Sequence, residues 1–317
     1  MKLYRTLKYI HLITLLTVFL GLFSCSNKDA LITPYEEYVA SPKTEVGRKL
    51  VENTDLIATI HSDSSYTVVS GVEGTELSYL SSTGLAMKLF VFEVDLNASN
   101  ISIEASTPNN SPVFGMQPMT KQAAFEDDKG HVVWGGVNGD FYNISTGVPQ
   151  GILHKEGIAI KSTVTDEVNT FFGILEDGRA VVGDQDTYEE VKGELIEAVG
   201  GRVKLLENGA TLNQTDTRLE PRTAIGVSED GARVIMLVAD GRNFHYSNGM
   251  TYDDLGNSLK ALGAYNAINL DGGGSSTFFT RNTPEFTEGR FEVRNWPTDN
   301  GGEERAVANG LLIISSE

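Results

Sequence analysis

One cysteine, Cys25, stands in the whole chain of 317 residues, so no intrachain disulfide can form. Positive charge is scarce as well: 25 Lys and Arg face 43 Asp and Glu, for a net charge of −18 at pH 7. Such a surface argues against nucleic-acid binding and against attachment to an anionic membrane by charge. An anionic ligand would need a local cluster of Arg or Lys to overcome that field. Long helical periodicities are few, no clear repeat shows in the middle of the chain, and no loop has EF-hand spacing. What remains is an ordinary globular composition, 40% hydrophobic and 21% charged, with 33 glycines, so strands and turns should dominate. The length suggests one large domain or two smaller ones.

The first residues read as a targeting segment. Lys2, Arg5 and Lys8 form a positive region, and Tyr9 to Phe23 is apolar apart from His11 and two threonines, which is short for a bilayer span. Leu22-Phe23-Ser24-Cys25 resembles a bacterial lipobox, which predicts a signal peptide over 1–24 and a lipid on Cys25. A plain signal peptide with an incidental cysteine is the alternative. Cleavage would remove Lys2, Arg5 and Lys8 and make the net charge more negative by those three. Residues 25–43, with Pro34 and Pro42, read as a tether, and Ser26-Asn27-Lys28-Asp29 resembles signals that send lipoproteins to the outer face of Gram-negative cells. The expected location is therefore the outer membrane, facing the periplasm or the cell surface, with membrane contact only through the anchor.

Residues 44–84 read as a small N-terminal segment, with a short helix over 44–53 and strands over 56–61 and 66–72, broken by Ser62-Asp63-Ser64-Ser65. The main body is expected over 85–317. Met87 to Leu96 alternates, with Leu89 and Val91 on one side and Phe90, Phe92 and Val94 on the other, and pairs in expectation with Ile101 to Ala105 as a hairpin. Thr120 to Asp128 suits a helix capped by Thr120, and His131 to Val137 a strand. Pro221 to Val227 and Arg233 to Ala239 suit a hairpin, and Asp253 to Leu262 is the best helix, with Leu255, Leu259 and Leu262 on one face and Gly263 as its stop. Ala306 to Ile314 closes the chain as a strand.

Apolar strands that meet clusters of polar and glycine residues recur. Ala267, Ile268 and Leu270 run into Asp271 and then Gly272-Gly273-Gly274, which places a carboxylate at a sheet end where backbone can approach a ligand closely. Successive glycine N–H groups can form an anion-binding nest, with hydroxyls from Ser275, Ser276 and Thr277 beside it. The plainer reading is a hairpin turn capped by its Asp. Asn138-Gly139-Asp140, Pro221-Arg222-Thr223, Asp240-Gly241-Arg242 and Glu303-Glu304-Arg305 share the form. Carboxylates at strand ends suit acids, bases or nucleophiles because the sheet holds them. Arg222, Arg242 and Arg305 could supply positive field, although each acid alone would serve as a turn cap and each Arg alone as a surface ion pair.

These stretches together resemble the phosphodiester glycosidase family. The resemblance rests on Pro221 to Gly226, Val238 to Arg242, Asn266 to Thr277 and Glu304 to Asn309, and on Asn138-Gly139-Asp140-Phe141-Tyr142, where Asp140 stands in place of a frequent second glycine. It covers roughly Leu85 to Ile314. It implies hydrolysis of a sugar-1-phosphodiester at the glycosidic bond. Asp271 is then the first candidate for nucleophile or base and Asp240 the second, with Asp140 and Glu304 behind them. Arg222 and Arg305, supported by the nest at Gly272 to Ser275, would stabilise charge on phosphate. Asn138, Gly139, Asp140, Thr223, Asn269, Ser276 and Asn309 would bind substrate with Arg242 and His245, the last also readable as an exposed loop residue. Asp271, Asp240 and Asn269 could also hold Ca²⁺; otherwise no cofactor is expected. Trp134 reads as core and Trp296 as a rim residue or sugar platform. The expected fold is α+β, a mixed and largely antiparallel twisted sheet with a few helices. A glycan-binding lipoprotein without turnover and a structural surface protein are the competing classes; a cell-envelope or host glycan is the alternative ligand.

Overall fold

The structure is a computed structural model that describes residues 41–127, 131–282, 289–299 and 301–316. Cys25, the expected signal peptide and most of the expected tether lie outside the described residues. Helix α1 (Glu45–Asn53) precedes strands β1 (Ile57–Val69), β2 (Val72–Ser81), β3 (Ala86–Asp95) and β4 (Ile101–Ser106). Helix α2 (Met119–Asp127) leads to β5 (His131–Asn138), then β6 (Leu153–Lys155), β7 (Ile158–Lys161), β8 (Thr170–Leu175) and β9 (Ala180–Asp184). Helix α3 (Gln185–Val191), β10 (Leu195–Gly201), β11 (Lys204–Glu207) and β12 (Ala210–Thr211) follow. The last third holds β13 (Arg222–Val227), β14 (Arg233–Ala239), α4 (Tyr252–Leu262), β15 (Asn266–Asn269), β16 (Phe278–Arg281), β17 (Phe291–Val293) and β18 (Gly310–Ser316).

The strands build an eight-stranded sheet, ordered β1-β2-β3-β14-β13-β15-β11-β12, and two five-stranded sheets, β17-β16-β5-β18-β4 and β7-β6-β10-β8-β9. The pairings among the described residues are antiparallel, as in the β13–β14 and β3–β14 ladders, so the chain is an α+β protein with a largely antiparallel sheet architecture. Phe90, Phe92 and Val94 face a core shared with Val137, Phe172, Ile268, Phe278 and Leu311, which lies between the large sheet and the small ones. Leu89 and Val91 face the opposite side, where α1 and α4 pack through Val46, Leu50, Leu255 and Leu259. The alternation read in β3 is therefore that of a strand buried on both faces. Phe278 stacks on Phe92 with ring centroids 3.9 Å apart and ties β16 to the large sheet.

Two expected local pairings differ. Residues 62–65 do not break a strand: β1 runs through them and pairs with β2 in unbroken register from Ser62 to Thr67, the register shifts lying on either side. The segment before Leu85 thus joins the same sheet as β3. Strand β4 pairs with β18 rather than with β3, because its apolar residues Ile101 and Ile103 fill the inter-sheet core and β14 takes the edge of β3. Helix α4 keeps its expected bounds within a residue; Thr251 and Asp254 form a capping box and Gly263 stops it at φ 104°. The last strand begins at Gly310, after a bridge from Gln117 to Val307.

The ladders place the ends of β5, β14 and β15 and the starts of β13, β16 and β18 together: Asn138 opposes Gly310, Val137 opposes Phe278, Arg222 opposes Ala239, and Ala224 opposes Asn269. The polar clusters read in the sequence converge there.

Candidate active site

Asp271 follows β15 and its backbone is held from several sides. Its N–H donates to Gly139 O at 2.9 Å, and its carbonyl accepts from Asn138 Nδ2 at 2.7 Å. Asn138 Oδ1 in turn accepts from Thr223 Oγ1 at 2.7 Å and Thr277 N at 3.0 Å. One buried amide thus joins β5, β13 and both ends of the glycine turn. Asn269 accepts from Val203 N at 2.8 Å and donates to Leu270 O at 2.7 Å. Asn138, Thr223 and Asn269 are all enclosed and spent on the protein, so the expectation that they bind substrate is corrected: they position Asp271. Gly139 serves the same end, since a Cβ there would stand 2.4 Å from Asn309 Oδ1.

The glycine turn is pressed against Pro221. Gly273 N donates to Pro221 O at 2.8 Å, and a Cβ on Gly272 would meet that oxygen at 2.6 Å. Gly273 adopts φ 64°, a left-handed conformation natural to glycine. Two guanidinium groups border the turn. Arg242 pairs with Glu220 at 2.6 Å and with Asp299 at 3.5 Å, and lies against Gly273. Arg305 pairs with Asp299 and reaches Ser275 Oγ at 3.4 Å, beside Gly274. Asp299 clamps both, and an Arg fork carries more N–H groups than these contacts use.

Burial raises the Asp271 carboxyl, while bonds from Ser275 and Gly272 N and the charges of Arg305 and Arg202 pull it back down. Asp140 lies beneath, 1% exposed. Its Oδ2 accepts from Gly151 N at 2.7 Å, Oδ1 has no partner, and burial, with repulsion from Asp271, pushes its carboxyl up to about 8. Burial thus favours its protonated form and seals it from a ligand, so its place among the substrate-binding residues is corrected to support. Asn309 Oδ1 accepts from Asp140 N at 2.7 Å, and its buried Nδ2 is unpaired, as is Ser276 Oγ. These too lie under the site.

Four expected site residues lie apart from Asp271. Arg222 shares the face of β13 with Ala224, whose side packs on α4; its guanidinium covers the Tyr252 ring at 3.9 Å and donates to Met250 O at 3.2 Å. Thr223, one residue on, faces Asn138 instead, because strand side chains alternate. Asp240 accepts from Asn295 Nδ2 at 2.9 Å and Trp296 N at 2.8 Å, so it pins the loop that carries Asp299 rather than meeting Asp271. Glu304 accepts from Thr120 N at 3.2 Å and from the Thr120 hydroxyl, which makes it the cap of α2, the role expected of Thr120 itself. His245 is exposed and stacks edge-on to Phe244. Asp271, Asp240 and Asn269 do not form one ligand set, and no group of metal-ligating side chains occurs among the described residues. Trp134 donates Nε1 to Ser315 Oγ at 2.8 Å at the edge of the core, whereas Trp296 is half exposed on the loop pinned by Asp240.

Sequence reasoning missed Arg202, Tyr142 and Asp299. Arg202 follows Gly200-Gly201 at the end of β10, the same strand-into-glycine form as the motifs above, and stacks on Phe141 at 3.9 Å. Tyr142 donates to Ala306 O at 2.9 Å, and its hydroxyl lies by Ser275 and Arg305. Asp299 sits in a polar loop whose sequence carries no signal.

A family profile for phosphodiester glycosidases matches residues 131–314, more than half of the chain and all of these strand ends. The chain belongs to the phosphodiester glycosidase family. N-acetylglucosamine-1-phosphodiester alpha-N-acetylglucosaminidase from Mus musculus is 29% identical over 167 residues, which cover 46% of this chain and 31% of the relative. The Homo sapiens protein of that name is 26% identical over 166 residues, 46% of this chain and 32% of the relative. The match thus spans about a third of the length of these curated phosphodiester glycosidases. Among solved structures, the catalytic domain of the zebrafish N-acetylglucosamine-1-phosphodiester alpha-N-acetylglucosaminidase, described as auto-inhibited by its pro-peptide, superposes with a TM-score of 0.57 at 21% identity over 80% of this chain and 88% of that one. A hypothetical protein from Synechocystis gives 0.54 at 12% identity, over 80% and 64%. Both share the fold.

Proposed function

We propose that the protein hydrolyses the glycosidic bond of a sugar-1-phosphodiester, with N-acetylglucosamine-1-phosphodiester as the reference substrate. One observation carries this: a partly exposed carboxyl group, Asp271, acted on by the charges of Arg305 and Arg202, at the lip of a glycine turn bordered by Arg242. Membership of the family and the activity named for the curated relatives agree with it. Asp271 acts at the anomeric carbon, as nucleophile or as base toward water. The bond from that carbon to the phosphate oxygen breaks, its electron pair leaves with the phosphate, and a water oxygen ends on the sugar. Charge gathers on the phosphate oxygens, where Arg305 and Arg242 are fixed in advance; the expected nest does not add to them, because Gly272 N and Gly273 N are spent on Asp271 Oδ1 and Pro221 O. Because a phosphomonoester leaves readily, the reaction does not need the enclosed Asp140 to donate its proton.

The exposed Trp296 ring favours a second reading, a glycan-binding protein without turnover. As a further part of the proposal, the protein is a lipoprotein of the cell envelope held by a lipid on Cys25; failure of Cys25→Ser to abolish incorporation of labelled fatty acid would refute that. The activity is tested with N-acetylglucosamine-1-phosphodiester, following released reducing sugar and phosphomonoester separately, with Asp271→Asn as control. Both products appearing together, and vanishing in the variant, support the proposal. Sugar 1-phosphate as product overturns it, and sugar binding without product supports the second reading.

A further inference from the structure

An open cleft of about 790 Å³ adjoins the site without belonging to it. Loop 143–150 and the segment 161–167 line it, with hydroxyls from Thr146, Thr163 and Thr165, the Gln150 amide, and the apolar Val148 and Val164. Its wall is shared with the catalytic centre. Gln150 Oε1 accepts from Arg202 Nη2 at 3.4 Å, and Glu167 pairs with the same nitrogen at 3.3 Å. Arg202 stacks on Phe141, its buried Nε has no partner, and its charge acts on Asp271. Arg202 is therefore tied to the cleft through Gln150 and Glu167 and to Asp271 through its charge.

The lining decides what kind of ligand fits. Its cation, Lys161, is spent on backbone: Nζ donates to Gln150 O at 3.1 Å, Gly151 O at 2.9 Å and Thr163 O. Asp166 and Glu167 add negative charge, so an anion is disfavoured. Threonine hydroxyls and an amide among short apolar walls suit a neutral polyol, and the volume is generous for one pyranose ring. None of Arg242, Asp299 and Arg305, the groups placed for phosphate, lines the cleft. The cleft thus serves the sugar side of the scissile bond. We infer that it is a subsite for a second, neutral sugar unit on the glycone, so that the preferred substrate is an oligosaccharide-1-phosphodiester. This rests on the proposed hydrolysis.

The test compares kcat/KM for N,N′-diacetylchitobiosyl-1-phosphodiester with that for the N-acetylglucosamine compound. Its variants are Thr163→Leu/Thr165→Leu and, separately, Thr146→Leu, each first checked by thermal unfolding. The expected ratio favours the disaccharide by about tenfold in the unaltered protein and collapses toward one in the variants. A ratio near one in the unaltered protein, or one that the variants leave unchanged, overturns the subsite. Titration with free N,N′-diacetylchitobiose separates the two proposals. Binding that the variants weaken, with no hydrolysis of either compound, sinks the hydrolase reading and leaves the subsite standing. Absence of both overturns the subsite as well.

Discussion

Asn138 shows how a single side chain can decide the place of another. Its amide satisfies the Thr223 hydroxyl, the Thr277 N–H and the Asp271 carbonyl at once. Asn138→Ala leaves all of these buried and unpaired, and is expected to cost about 3 kcal/mol of stability, read from chemical denaturation. Turnover should fall as well, because Asp271 loses its anchor; a variant with normal stability would contradict this account. Asp271→Asn is the opposite case. The amide keeps the bond from Gly272 N, so the melting temperature should hold while kcat falls by about 10³-fold or more. Near-normal turnover would remove Asp271 from the mechanism.

Among the elements, α2 and β16 carry the most instructive contacts. The Glu304 carboxylate meets the first turn of α2, where unpaired N–H groups and the helix dipole favour a negative charge. Glu304→Ala should cost about 1 kcal/mol and leave KM unchanged. A large rise in KM at unchanged stability would return Glu304 to the site. Strand β16 is tied to the large sheet by Phe278, fully buried between Phe90 and Phe92. Phe278→Ala should cost about 3–5 kcal/mol, measured by urea unfolding, since a rigid stack of rings cannot close the gap. A cost below about 1 kcal/mol would show that the two sheets are not locked there.

For the molecule as a whole, buried carboxyls set the response to pH. Asp140 is pushed up to about 8 and Glu197 to about 7, both by burial, against ordinary values of 3.8 and 4.5. In the unfolded chain these groups ionise near pH 4, whereas in the fold they keep their protons. Each proton retained in the fold favours it, so stability is fullest below pH 4 for these groups and is lost as pH climbs toward about 8. The melting temperature should accordingly fall from pH 5 to pH 8, and Asp140→Asn should flatten that slope. A melting temperature that rises over this range would refute the assignment. Surface aspartates such as Asp177 and Asp184, held low by Arg179 and Lys204, act below this window and do not mask it.

Local physics settled much of this protein in its sequence. The alternation of Leu89 to Val94, the capped helix ending at Gly263 and the strand running into Asp271 and its glycines are each short-range patterns, and each stands in the structure as read. Which motif residues share a pocket was a tertiary decision. Arg222 and Thr223 are neighbours in sequence, yet the pleat sends one to Tyr252 and the other to Asn138. Asp240 and Asp271 end strands at the same side of one sheet, but Asp240 is claimed by Asn295 and Trp296, and Asp140 is the carboxyl that feels Asp271. Arg202 reaches the site only because β10 ends beneath β15, where Arg202 N meets Asn269 O at 3.1 Å. Such partnerships join residues far apart in the chain, so they follow from sheet register and packing and leave no local trace.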